Sequence, residues 1–148
     1  FVEEAVRAAL AQTHEPLEIL ICDDASPDRS FDRACEVVRR TPTRHTVRLH
    51  RNERNLGIGN FNQLMTLATG DLIVIAHGDD ISVPDRVARV VAAWRASGAS
   101  MVTSNAQAID AQGNGLGDAV RRGVVPPNSL VEIARHGWNP SLWGAVLA

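Results

Sequence analysis

The 148-residue chain contains no lysine: all 15 of its basic residues are arginines. Any chemistry that depends on an ammonium group is thereby excluded, and a phosphate-cradling GxxxxGK[ST] loop cannot form. Long apolar runs are missing too, and none approaches the roughly 18 residues that a membrane span requires. Cysteine is scarce. Cys22 and Cys35 have neither CxxC nor metal-ligand spacing, so they read as small buried thiols of a reducing compartment rather than a disulfide. Charge of one sign is not in excess either, and a formal net charge of −2 argues against a dedicated nucleic-acid binder. No leader-like segment opens the chain, which begins on the amphipathic pattern "FVEEAVRAALAQ". The expected location is cytoplasmic, with peripheral attachment to the inner face of a membrane left open.

What is present is an ordinary globular composition, 45% hydrophobic and 22% charged, enough for one domain with a core and short for two. A single domain over 1–148 is expected, incomplete at both ends. Helical periodicity is already running at Phe1, and the strand-like "LWGAVLA" has nothing after it.

After the first helix (Phe1 to Gln12), "THEP" breaks the pattern and "LEILIC" reads as a buried strand. The turn cluster "DDASPDRS" leads to a helix from Asp28 to Arg40, then a strand at "HTVRLH" and a polar loop at "NERNLGIGN". Helical spacing returns through Phe61, Leu64, Met65 and Ala68, and Gly70 suits its C-terminus. "DLIVIAHGDD" supplies a third strand. In "SVPDRVARVVAAWRASG", Ser82 and Asp85 have capping-box spacing, Pro84 fits a first turn, and Gly98 closes the helix. "ASMVTSN" is a fourth strand, followed by the turn "DAQGNG", a "VPPNS" loop, a short helix from Leu130 to His136 and the terminal strand. Strands alternating with helices predict parallel βαβ units, hence a three-layer α/β sandwich around a mainly parallel sheet.

In such sheets ligands bind beyond the carboxyl ends of the strands. Two strands here end in the same device, Asp23–Asp24 and Asp79–Asp80. A single pair is explained by the preference of Asp for turns and helix caps. Two pairs on one edge repel unless a positive group sits among them, and a hard divalent cation held by one or two carboxylates plus substrate phosphates is the usual solution. "GIGNFN" lacks the third glycine of a dinucleotide fingerprint and lies in a polar loop, and HExxH and GxSxG are absent. A phospho-acceptor signalling domain also gathers aspartates at strand ends, but it resembles a system that relies on a lysine.

The succession "AALAQTHEPLEILICDDASPD", Asn55–Leu56–Gly57 and "GDLIVIAHGDDISVPDR" resembles the nucleotide-sugar-binding half of family 2 glycosyltransferases, inverting enzymes with a GT-A, Rossmann-like fold, over nearly the whole chain. The resemblance implies transfer of a hexosyl or related glycosyl group from a nucleotide-diphosphate sugar, a UDP-sugar foremost, to an acceptor hydroxyl. The acceptor would be a glycan, a lipid-linked molecule or a small molecule. Asp24 then matches the acid that bonds the nucleotide base, with Asp23 beside it, while Asn55 and Gly57 match a loop flanking the nucleotide. Asp79 and Asp80 match DxD-like acids, one on the ribose and one on Mg²⁺ or Mn²⁺, with Asp80 placed on the metal ahead of Asp79.

The match is incomplete. His77 stands where the family often carries a third acid, and it is either a ligand to the metal or diphosphate or a packed histidine. The first strand is expected before Phe1 and the general base after Ala148, so no visible residue takes the base's role and the piece alone is expected to be inactive. Trp138 and Trp143 are either acceptor-side stacking surface or core. The arginines between Arg39 and Arg54 form either an anion-attracting or a solvated face, and Asp85 and Arg86 read as capping and surface residues. A non-catalytic nucleotide-sugar-binding module is the alternative function.

Overall fold

The computed structural model describes residues 1–104, 106–118 and 143–147. In chain order the elements are α1 (Val2–Leu10), β1 (Glu18–Asp23), α2 (Ser30–Arg40), β2 (Thr46–Arg51), α3 (Gly59–Leu67), β3 (Leu72–Val74), α4 (Arg86–Ser97), β4 (Met101–Ser104), β5 (Gln107–Ile109), β6 (Gly115–Asp118) and β7 (Trp143–Leu147). The loop and helix expected between "VPPNS" and His136 lie outside the described residues, as does Trp138.

The periodicities place the core. Val6 and Leu10 of α1, Ala34 and Val37 of α2 and Ile19 of β1 form one buried cluster, with Val47 of β2 packed against it. Burying each of the larger aliphatic side chains contributes roughly 1.5–3 kcal/mol, so this cluster fixes α1 and α2 against β1 and β2. Leu20 alternates with Ile19 and, with Leu64 and Leu67, lines a small cavity between β1 and α3. Arg48 closes that side by donating to the Leu67 carbonyl at 2.8 Å. On α4, the one buried stripe is Val87, Val90 and Val91.

β1 and β2 are parallel, paired from Glu18↔Thr46 to Asp23↔Arg51, so both end at the same edge. The other described ladders depart from the expected mainly parallel sheet. β7 lies between β3 and β4 and is antiparallel to both. The unit β3–α4–β4 therefore keeps the expected parallel sense but leaves a slot one strand wide, filled by a strand returning in the opposite direction. Apolar patterning reports that a strand is buried, not which way it runs. β5 and β6 form an antiparallel hairpin at the polar turn. Asp110 organises it by accepting the backbone N–H groups of Gln112 and Asn114 at 2.9 and 2.8 Å. Residues 107–109 are exposed on both faces, so no alternation marked the strand.

Two helix ends differ from expectation. α3 stops at Leu67, with Ala68 extended, because the next turn is captured by Glu18, whose carboxylate accepts both the Thr69 N–H and its hydroxyl at 2.9 Å. α4 begins at Arg86 rather than at Ser82. The residue before a proline is disfavoured in the α region, so Val83 delays the helix past Pro84. The capping box does not form, since Asp85 at the N-cap makes no side-chain cap bond and pairs with Arg89 at 2.7 Å. Gly98, at φ 61°, does close the helix as expected.

The cap comes from Gln12 instead. This buried side chain accepts the Val87 N–H at 3.0 Å and donates to the Val83 and Ala8 carbonyls at 2.8 and 3.1 Å. It joins the end of α1 to the start of α4 across 75 positions of sequence. Replacing it leaves buried backbone groups without partners, at about 1–3 kcal/mol. Gln12→Leu is therefore expected to lower the urea unfolding free energy by that amount. A change within error of zero would show that water serves the α4 end equally well.

Candidate functional site

The edge where β1 and β2 end is built from polar side chains that hold one another. Asp23 is buried, accepts the Ser26 N–H at 3.0 Å and pairs with Arg51 of β2 at 3.2 Å. Arg51 is itself held over the Phe31 ring, 5.5 Å from its centre. Asp24, one residue on, turns to the loop before α3. Its carboxylate accepts the backbone N–H groups of Leu56 and Gly57 and the Asn52 amide, at 2.9, 2.9 and 2.8 Å. The Leu56 N–H is the main cause that holds the Asp24 carboxyl below the ordinary carboxylate range, followed by Asn52 and, more weakly, Gly57. Asn55 completes the turn by accepting the Gly57 N–H at 2.9 Å, and Gly57 sits at φ 54°, a left-handed conformation that costs a side chain but not a glycine. Asn55 and Gly57 are both exposed.

Asn52 is the hub, and its residue type alone gave no signal. Buried behind Asp24, it donates to Asp24 and to Asn60 of α3 at 2.8 and 3.0 Å. Its carbonyl oxygen faces His50 at 3.1 Å. Cys22 of β1 donates to Asn60 at 2.9 Å, and its thiol is pushed up by burial and then by the Asp24 and Asp23 charges. Cys22 and Cys35 are free, in line with their spacing.

The second acid pair follows β3. The Asp80 N–H donates to the His77 carbonyl at 3.3 Å, making a turn with Gly78 and Asp79 at its tip. Asp79 is exposed and Asp80 half-buried. Burial raises the Asp80 carboxyl and the Asp79 charge raises it further, against the opposing pull of His77 and Arg86. The His77 ring packs on Phe61 of α3, centres 5.7 Å apart. Its burial holds the imidazole below its ordinary value, although Asp80 and Asp79 pull the other way. His77 thus packs on Phe61 beside the acids.

The first turn of α3 connects the two halves. Asn60 bonds the β1–β2 network while its neighbour Phe61 supports the loop of Asp79 and Asp80. Asp23 is the last residue of β1 and Asp24 follows it, while Asp79 and Asp80 lie beyond the end of β3; both pairs share one helical turn as anchor. They differ in how their charge is met. Asp23 and Asp24 take an ion pair and hydrogen bonds from within the chain, whereas Asp80 feels the nearby His77 and Arg86 and no arginine among the described residues forms an ion pair with Asp79 or Asp80.

The arginine-rich stretch beside this edge is largely neutralised in exposed pairs, Arg40 with Glu36, Arg44 with Glu15 and Arg48 with Glu18. Arg86, expected at the surface, is half-buried and reaches back across the strand ends. Trp143 falls in β7, and its stacking role is an open proposal.

The family model described as "Glycosyl transferase family 2" matches residues 1–139. The chain is 28% identical over 133 residues to the uncharacterized glycosyltransferase alr2836 of Nostoc sp. (strain PCC 7120), covering 90% of this chain and 41% of that protein. It is 29% identical over 120 residues to the succinoglycan biosynthesis protein ExoO of Rhizobium meliloti (strain 1021), covering 78% and 32%. The chain thus spans less than half the length of these relatives. No solved structure matches.

The Asp24 contacts carry a pH signature. Its carboxyl is held down in the folded protein, so their contribution is complete above the ordinary carboxylate value near 4 and is lost as pH falls through the lower folded value. Asp24→Asn is expected to flatten the stability loss below about pH 4 relative to wild type. Urea titrations across that range check this, and identical slopes for the two proteins would show that the loop does not depend on the charge.

Proposed function

The chain belongs to glycosyl transferase family 2, and from that premise we propose that it is the nucleotide-sugar-binding part of a metal-assisted, inverting glycosyltransferase of the three-layer GT-A type. The observation that carries the reading is the adjacent pair Asp79–Asp80, anchored to the same turn of α3 as the loop that Asp24 organises. A nucleoside diphosphate presents a base at one end and phosphates at the other, and this edge offers a separate device for each.

On this reading Asp24 faces the base. Three of the four lone-pair sites on its carboxylate are occupied by the chain, which leaves one acceptor for an N–H donor such as the imide of uracil. Asn55 and Gly57 form the wall beside the nucleotide, and Asp23 keeps the turn in place from behind. Asp79 receives the ribose.

Asp80 is assigned to Mg²⁺ or Mn²⁺, with Asp79 next to it. The residues present fit such an ion in one particular way. Among the described residues no cluster of three or more His, Cys, Asp or Glu side chains could enclose a metal. Two hard carboxylates can still hold one when substrate phosphates complete the shell. Bound there, the cation would neutralise charge on the departing diphosphate as a Lewis acid. The acceptor hydroxyl is proposed to be activated by a carboxylate beyond Ala148, on the resemblance alone. The acceptor is proposed to be a glycan, a lipid-linked molecule or a small molecule, and a relative named for succinoglycan biosynthesis supports a role in building glycans. A cytoplasmic site of action is supported by the two free thiols.

The test is calorimetric titration of UDP with and without Mn²⁺. Wild type is expected to bind UDP more tightly with the metal, and Asp80→Asn to lose that gain while keeping its melting temperature, since a neutral amide is a poor ligand for a hard cation. Equal metal enhancement in both proteins would remove the assignment. UDP binding without sugar transfer by the longer parent protein would support the binding-module alternative.

A further inference from the structure

Arg86 opens α4, yet its side chain turns away from the helix toward the strand ends. Its guanidinium donates to the Ile75 carbonyl just past β3 at 3.1 Å, to the Ser104 hydroxyl at the last position of β4 at 3.2 Å, and to the Ser82 hydroxyl at 3.5 Å. One side chain therefore touches the segment entering the Asp79–Asp80 loop, the segment leaving it, and the neighbouring strand beyond the slot filled by β7. No carboxylate among the described residues lies within ion-pair distance of it. All three acceptors are neutral. An arginine used only for surface charge or solubility would not be half-buried on neutral acceptors from three segments.

We propose that Arg86 is a positioning residue: its planar guanidinium clasps the ends of β3 and β4 and fixes the loop carrying Asp79 and Asp80 in the one arrangement that serves a cation and diphosphate. The proposal rests on the reading of those two acids given above. Other ties hold the segment at His77, through Phe61, and at Val83 and Pro84, through Gln12 and Thr13; Arg86 adds the tie between the ends of β3 and β4. The backbone bond within the turn is Asp80 N–H to the His77 carbonyl, and the two like charges push it open. β3 is only three residues long, so the strand itself holds its end weakly. The fork geometry is what matters, because a lysine carries the same charge but cannot span several acceptors at once.

The experiment compares wild type, Arg86→Lys, Arg86→Gln and Ser104→Ala by titrating UDP with and without Mn²⁺ and, separately, uridine by NMR. The metal enhancement is the ratio of the two UDP dissociation constants. Removing an outer-shell partner of a metal site typically costs about 10–100-fold. Arg86→Gln is therefore expected to lose at least about tenfold of the enhancement, Arg86→Lys nearly as much, and Ser104→Ala less but in the same sense. Uridine affinity should stay at the wild-type level, because the base is held by Asp24. A purely structural role would lower the melting temperature without moving the ratio, and that result overturns the proposal. So does full enhancement in Arg86→Lys, which would mean that charge alone is required. A stronger enhancement in Arg86→Gln would make Arg86 a competitor of the cation, and equal losses with and without Mn²⁺ would make it a direct phosphate contact; either excludes the clasp. If the Arg86 variants do not fold, an unchanged ratio in Ser104→Ala overturns the clasp and a lowered one supports it. Wild-type protein that shows no enhancement overturns the reading of Asp79 and Asp80 first and the clasp with it, before any substitution is considered.

Discussion

Four carboxylates at or beyond the ends of two strands impose the constraint around which this edge is organised, because those that are buried or half-buried must meet positive charge or hydrogen-bond donors. The chain meets the first two from its own resources. Asp23 takes an arginine and a backbone N–H, and Asp24 takes two backbone N–H groups and an amide. Those bonds shape the neighbourhood in turn. The loop through Asn55 and Gly57 is folded around Asp24, and α3 begins where that loop ends.

The second pair is the one proposed to meet an outside partner. His77 beside it packs on Phe61, and burial lowers its imidazole against the pull of Asp80 and Asp79. Arg86, the nearest guanidinium, bonds neutral oxygens. Had Arg86 formed a close ion pair with Asp80, a cation could take its proposed place there only at the cost of that pair. A binding edge must be preorganised without being self-satisfied. Compensating one pair internally and leaving the other open separates those requirements between two loops, with the first turn of α3 holding them together.

How much of this could be read beforehand follows from the range of each interaction. The described helices and the longer strands were legible because their apolar periodicity is local, and Gly98 announced its helix end because a left-handed position favours glycine. The acid pairs were legible for the same reason, being adjacent in sequence. What escaped was nonlocal. Gln12 caps a helix 75 positions away, Glu18 cuts short a helix 51 positions away, and Arg86 bonds Ile75 just past β3 and Ser104 on β4. No residue type at those positions singles them out. Strand direction escaped too, since the antiparallel seat of β7 depends on where the chain returns after β6, not on the composition of "WGAVL".

The nonlocal residues are also the ones that join separate segments. Gln12 ties α1 to α4, Asn52 ties β2 to β1 and α3, and Arg86 ties β3 to β4. Each is an amide or guanidinium making several bonds to groups that would otherwise be partly buried without partners. Such a side chain is difficult to replace, because a smaller residue strands several partners at once and a charged one of different shape satisfies only some of them. On the proposed reading, the acids set which ligand chemistry this edge attracts, and the multidentate neutral amides and Arg86 set how firmly the acids are held. Substitutions in the second group should therefore alter the geometry of binding while leaving its chemical preference intact, which separates them from substitutions of Asp24, Asp79 or Asp80, where the preference itself changes.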